Sequence, residues 1–233
     1  MQIEVFACGL KHPKKEKSED AYFISQNKNI FGVADGVGGW KSKGIDPSIF
    51  PNELMQNCKK IADSRRDITP VDLLKMSYED VFSDGSTTLC MGKIENNILD
   101  IIHLGDSGFK IIRNNKVYYS SKEQVFDFNY PYQIGKYNGK SVKNTPEDCE
   151  KTRIKLNKGD IILIATDGLF DNIFDREIIE EMNKQGDVAK ILVEKAHVFS
   201  LDKKRESPFT KKSKGKYFGG KKDDITSIVI KVF

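Results

Sequence analysis

Histidine is scarce in this chain. Three occur in 233 residues, at positions 12, 103 and 197, and none stands near a cysteine in a zinc-type spacing. A metal site built on nitrogen and sulfur ligands is therefore not expected. The four cysteines, Cys8, Cys58, Cys90 and Cys149, form no CxxC pair and suggest no disulfide framework. Free, buried thiols in a reducing compartment are the expectation. No apolar run approaches the roughly 18 residues of a membrane span. The opening MQIEVFACGLKHPKK lacks a signal-peptide pattern and starts straight into a strand-like run. Nor does one sign of charge dominate: 38 basic and 34 acidic residues give +4, too balanced to imply nucleic acid. There is no internal repeat.

What is present is a globular composition, 38% apolar and 31% charged, able to bury a core. Residues 1–233 are read as one domain. Strand-like runs are many. VFACGL comes first. DAYFISQ and IFGVAD flank Asn27-Lys28-Asn29, STTLCMGKIE and ILDIIHLGD flank Asn96-Asn97, and GFKIIR and KVYYS flank Asn114-Asn115. TRIKL and DIILIAT follow, and ITSIVIKVF closes the chain. Short polar turns between such runs predict antiparallel neighbours. Helices are predicted over 52–63, from Thr69-Pro70 to about Phe82, over 175–184 and over 187–199. Helix pairs alternating with runs of antiparallel strands indicate α+β layers. Residues 203–222 hold nine Lys or Arg and one acid, Glu206. They read as a solvated loop or as a surface that attracts anionic partners.

Acids recur where strands start or stop. FGVAD ends at Asp35 before Gly36, IIHLGD at Asp106 before Ser107, and IILIATD at Asp167 before Gly168, with Asp171 four residues on. Glu19-Asp20 and Asp223-Asp224 sit at strand starts. One such Asp is a turn former. Three in one domain, beside two acidic pairs, call for a counter-charge, because clustered carboxylates cannot all ionise unaided. Carboxylates, a carbonyl and water are ligands of Mg²⁺ or Mn²⁺. Gly36, lacking a side chain, lets its carbonyl approach a ligand. Two such ions sharing a water suit phosphoryl transfer to water.

In order along the chain, SEDAYFIS, FGVADGVGGW, DGSTTLC, HLGDSGF, ATDGLFDN and KKDDITSIVI resemble the motifs of the metal-dependent Ser/Thr protein phosphatases of type 2C. GVGGWKSKGIDPSIFPNELM, SPF and GGKKDDIT are closest to the subgroup with mitochondrial and chloroplast members. The resemblance implies a four-layer α-β-β-α sandwich, two antiparallel sheets with a helix pair on each outer face. It implies two Mg²⁺ or Mn²⁺ ions in a cleft at one end, and a third, weaker one. Asp35 would bridge the two ions, the Gly36 carbonyl would bind one, and Asp167 and Asp223 would bind the other. Asp106 would serve the third ion. Glu19 and Asp20 would orient the attacking water. Asp224 stands where the family usually carries Asn and is read as supporting. The reaction implied is direct hydrolysis of phosphoserine or phosphothreonine, without a phosphoenzyme, on phosphorylated protein substrates. A monomer needing neither nucleic acid nor membrane is expected. Its compartment would be cytoplasmic or nuclear, or mitochondrial if a targeting segment precedes it.

Two residues depart from the family pattern. Val37 stands where many members carry a histidine proposed as general acid. Lys15 stands where many carry a phosphate-holding Arg, and lysine offers a point charge without the guanidinium fork. These departures leave a pseudophosphatase, a phosphoprotein-binding scaffold of the same fold, as the alternative. A metal-dependent phosphodiesterase or nuclease is a third reading, without an aromatic stacking motif to support it. The loop 121–150 is read as a substrate-choosing flap, and Trp40 as lining the cleft mouth or packing.

Overall fold

The computed structural model describes residues 2–65 and 67–233. Its strands are joined by the turns the sequence supplies. Asn96 and Asn97 both take positive φ, 51° and 62°, and Asn114 and Asn115 do the same at 53° and 57°. Two consecutive left-handed residues make the tight turn whose twist matches a hairpin, and asparagine tolerates that conformation. The first pair joins β4 (Gly85–Glu95) to β5 (Ile98–Leu104), and the second joins β6 (Gly108–Arg113) to β7 (Lys116–Ser120). One sheet runs β1 (Ile3–Leu10), β14 (Ile225–Val232), β13 (Ile161–Ala165), β6, β7. The other holds β2 (Asp20–Ile24), β3 (Ile30–Gly36), β4 and β5, with β12 (Glu150–Lys155) pairing β5. The paired strands are antiparallel.

Period-two alternation gives the central strands two apolar faces. In β3, Phe31 and Val33 enter the core between the sheets, while Ile30 and Ala34 face a helix pair. In β13, Ile162 and Ile164 point between the sheets and Leu163 and Ala165 point outward. Strands buried on both faces explain why DIILIAT reads as a continuous apolar run. The outward faces are covered by α1 (Ile49–Ser64) with α2 (Pro70–Glu79) on one side, and by α4 (Asp175–Met182) with α5 (Val188–Leu201) on the other. The result is the four-layer α-β-β-α sandwich expected. Each fully buried Leu, Ile or Phe contributes about 1.5–3 kcal/mol.

Helix ends follow their caps. Thr69 Oγ1 accepts the Asp72 N–H at 3.2 Å, and Pro70 follows at the first helical position. This helix stops at Glu79, short of the Phe82 expected. The Glu53 carboxylate takes the N–H groups of Phe82 at 2.9 Å and Ser83 at 3.0 Å, drawing the chain out of the helix. The 121–150 stretch, expected to be a loop, contains four short strands, β8 (Val125–Asp127), β9 (Tyr130–Pro131), β10 (Ile134–Tyr137) and β11 (Lys140–Lys143). Of these, β10 extends the second sheet by pairing with β4. The basic stretch is likewise not a plain loop: it folds a short helix, α6 (Pro208–Lys212), capped by Ser207, whose hydroxyl accepts the Thr210 N–H at 3.2 Å. Cys58, Cys90 and Cys149 are buried, Cys8 is half-buried, and all four are free thiols.

Candidate active site

The acids singled out in the sequence converge on one end of the sandwich. Asp20 at the start of β2 lies directly opposite Asp35 near the end of β3. Asp106 occupies the turn between β5 and β6, where the chain crosses from one sheet to the other. Asp167 follows β13 and opens the single turn α3 (Asp167–Phe170), beside Asp223 and Asp224 before β14. Two glycines allow this crowding. A Cβ on Gly36 would lie 2.2 Å from the Pro47 carbonyl oxygen, and one on Gly168 would lie 1.9 Å from that of Asp224. Gly36 thus owes its identity to close backbone packing as well as to any ligand. Val37 donates its N–H to the Ser86 carbonyl at 3.0 Å.

Burial and mutual repulsion raise four of these carboxyls. Asp35 is pushed well above the usual carboxylate range by burial, then by Asp20, Asp167 and Asp223. Asp20 and Asp106 are raised for the same first reason. Asp223 is pushed up to about 6 by burial and by Asp167. Asp167 goes the other way: burial, the largest influence, would raise it, but Lys221, the neighbouring Asp35 carboxyl and Lys212 together outweigh burial and hold it low. Asp20 Oδ2 accepts from Thr166 Oγ1 at 2.9 Å. Its Oδ1, with Asp106 Oδ1 and Asp167 Oδ1, is buried without a hydrogen-bond partner.

Adjacent residues at the last strand split their roles. Asp224 accepts the N–H groups of His12 at 2.7 Å and Glu19 at 3.0 Å, and the Lys15 ammonium at 2.5 Å. Lys15 also reaches Glu19 at 2.8 Å, and Lys41 pairs with the other Glu19 oxygen. Three further residues join the cluster without having been assigned a role from the sequence. Lys221 contacts Asp167, Asp171 at 2.9 Å and Asp223 at 3.3 Å. Lys212 reaches Asp171 at 2.9 Å and also pairs with Glu123. The signal for Asp171 was its spacing of one helical turn from Asp167; the lysines lay unmarked within the basic stretch. Trp40 packs rather than lining the cleft: it is buried, its Nε1 donates to Ser86 Oγ at 2.5 Å, and its ring lies 5.6 Å from that of Tyr137.

A hard divalent cation fits this donor set, which is oxygen throughout and carries three orphaned buried oxygens. Among the described residues no three side chains stand ready in a ligand cluster. Lys221 occupies the space between Asp167, Asp171 and Asp223 and supplies the local positive charge.

No protein-family model matches the chain. It is 39% identical over 242 residues to the protein phosphatase PTC7 homolog fig of Drosophila willistoni, covering 92% of this chain and 77% of that protein. It is 34% identical over 254 residues to the probable protein phosphatase 2C 26 of Arabidopsis thaliana, covering 100% of this chain and 84% of that protein. Identity to the probable protein phosphatase 2C 80 of Arabidopsis thaliana is 35% over 239 residues, and there the chain spans 57% of the relative's length. Among solved structures, the X-ray structure of the photosystem II phosphatase PBCP superposes with a TM-score of 0.93 at 32% identity, covering 100% of this chain and 99% of that one. The catalytic domain of the serine/threonine phosphatase PstP, solved with two manganese ions, superposes with a TM-score of 0.70 at 18% identity, covering 99% of this chain and 98% of that one; this likeness concerns the fold.

Proposed function

Because the chain belongs to the type 2C family of metal-dependent protein Ser/Thr phosphatases, we propose that residues 1–233 form one catalytic domain whose acid cluster hydrolyses phosphoserine and phosphothreonine in proteins. The observation that carries this reading is the convergence of Asp20, Asp35, Asp106, Asp167 and Asp223, three with a buried oxygen left unpartnered. Asp35 and the Gly36 carbonyl, with Asp167 and Asp223, would hold two Mg²⁺ or Mn²⁺ ions, and Asp106 a third, weaker one. Bound there, such ions supply charge against the phosphoryl oxygens and lower the pKa of water.

The rest falls to the chain itself. Asp20, fixed by Thr166, keeps Oδ1 free to accept from the attacking water, and the adjacent Glu19, its carboxylate paired with Lys15 and Lys41, holds those two ammoniums beside it. Lys15, steered by Glu19 and Asp224, offers an ammonium to the substrate phosphate. In the reaction, water oxygen bonds to phosphorus, the phosphorus–oxygen ester bond breaks, and the departing alkoxide takes a proton. With Val37 in place of an acid, that proton comes from solvent. The buried free thiols favour a reducing, intracellular compartment, including a mitochondrial one. None of the described helices is long and apolar enough to cross a membrane. The site is assembled within one chain, so a monomer suffices.

Hydrolysis of a phosphothreonine peptide in EDTA, in Mg²⁺ and in Mn²⁺, by the parent and by Asp167→Asn, tests this. Activity that requires added metal and is lost in a folded variant is expected. Activity in EDTA, or retained by the variant, overturns the mechanism. Inactivity of folded parent protein in every condition favours the phosphoprotein-binding scaffold.

A further inference from the structure

The basic stretch that the sequence left between solvated loop and anionic surface has a fixed form. Its ends are closed by the Gly220 N–H donating to the Asp202 carbonyl at 2.8 Å. Inside, Arg205 is committed to Glu177 at 2.6 Å and stacks 3.5 Å over the Phe199 ring. Ser207 donates to the Gly219 carbonyl at 3.0 Å. A segment pinned this way presents its remaining side chains without further ordering.

What it presents is charged and aromatic. Lys203, Lys204, Lys214 and Lys216 are exposed, and no ion pair involves them among the described residues. Phe218 is 85% exposed and Tyr217 52%. A concavity of about 770 Å³ is lined by Lys203, Lys204, Arg205, Lys211, Tyr217 and Phe218, with Glu206 its one acid. Through Glu206 and Lys211 it joins a second cleft of about 600 Å³ that runs past Phe174 and Pro208 to Asp106. Two features therefore meet at a shared wall: an aromatic-edged hollow whose unpaired charge, among the described residues, is Lys203 and Lys204, since Arg205 pairs with Glu177 and Lys211 with Glu206 at 3.6 Å, and a cleft that reaches Asp106.

We infer that this surface docks an acidic stretch of the phosphoprotein substrate, flanking the phosphorylated residue while that residue occupies the acid cluster. The inference rests on the phosphatase reading above. Charge complementarity selects an acidic occupant. The wall of Glu206 and Lys211 shared with the cleft that reaches Asp106 selects a polypeptide, because an extended chain can lie in both concavities at once and a flat lipid surface cannot. Exposed Phe218 and Tyr217 supply the apolar contact that such a segment needs for more than steering.

The test uses p-nitrophenyl phosphate and two phosphothreonine peptides that differ in carrying four acidic or four basic residues beside the phosphothreonine. The parent is compared with Lys203→Glu/Lys204→Glu, whose changes lie on the surface outside the acid cluster. The acidic peptide is expected to be favoured about tenfold in kcat/KM at low salt, through KM, with the preference shrinking at high salt. The double variant loses the preference and keeps its p-nitrophenyl phosphate turnover. Parent turnover of p-nitrophenyl phosphate with equal use of both peptides overturns this inference and leaves the phosphatase reading standing. No turnover of any substrate by folded parent overturns both. Sedimentation with phosphatidylserine vesicles that the variant loses, without any peptide preference in the parent, overturns it in favour of a membrane surface.

Discussion

Replacing Lys221 by Met keeps most of the side chain's length and apolar volume and deletes its charge. The ammonium it removes serves Asp167, Asp171 at 2.9 Å and Asp223 at 3.3 Å, from a side chain 14% exposed. Asp171 retains Lys212 at 2.9 Å, and Asp223 is 25% exposed. Asp167 is left worst off, since its Oδ1 already lacks a partner and burial alone would raise it. Breaking one partner out of a buried charge network costs about 3–5 kcal/mol. The retained Lys212 contact and the exposure of Asp223 place this case near the low end, about 3 kcal/mol. Urea unfolding at neutral pH in EDTA reads that loss directly. Repeating it in Mn²⁺ should shrink the difference, because a cation bound by the folded state takes over the compensation and stabilises by mass action. A loss under about 1 kcal/mol in EDTA refutes the compensation argument. A loss of equal size with and without Mn²⁺ refutes the view that lysine and metal answer the same acids.

Other consequences follow from particular contacts. Gly168→Ala would drive a methyl to 1.9 Å from the Asp224 carbonyl oxygen. That overpacking costs about 3 kcal/mol, a fall in Tm of about 6–12 °C for a domain of this size; an unchanged Tm contradicts it. Glu177 accepts from Arg205 and from the Phe174 N–H at 2.9 Å, and these bonds, against the upward push of burial, hold its carboxyl below the usual range. Glu177→Gln should cost about 1.5–3 kcal/mol at pH 7. The depressed carboxyl stabilises fully above the unfolded value of about 4.3, and the parent's advantage fades as pH falls through the lower folded value; a pH-independent difference in urea midpoint speaks against the ion pair. Trp40→Phe removes the hydrogen bond to Ser86. It should cost about 0.5–1.5 kcal/mol, one net hydrogen bond, because Ser86 Oγ keeps its bond to Gln133 Oε1 at 2.6 Å, with peptide kcat/KM within about twofold; a large kinetic loss would return Trp40 to the cleft.

Features with local causes were legible in the sequence. Asn-Asn pairs force their hairpins, Thr69-Pro70 starts its helix, and two-faced apolar runs announce a sheet covered on both sides. Short elements were not. The two-residue β9, the five-residue α6 and the turn α3 are too brief to show a period, and tertiary contacts hold them, as when the Phe209 N–H meets the Asp171 carbonyl at 3.1 Å. The site divides in the same way. Acids at strand ends could be found because a strand ending in Asp-Gly is a local pattern. Their counter-charges could not, since Lys212 and Lys221 reach Asp171 across 41 and 50 residues and Lys15 reaches Asp224 across 209. The Asp223-Asp224 pair makes the point most sharply. Nothing in KKDD separates the two chemically, yet their carboxylates part company. Asp224 ties the chain around His12 and Glu19 into place, while Asp223 turns toward Lys221 and the remaining acids. Two adjacent carboxylates thus meet different partners, one the N–H groups of His12 and Glu19 and the other the Lys221 ammonium, because the chain entering β14 points them apart.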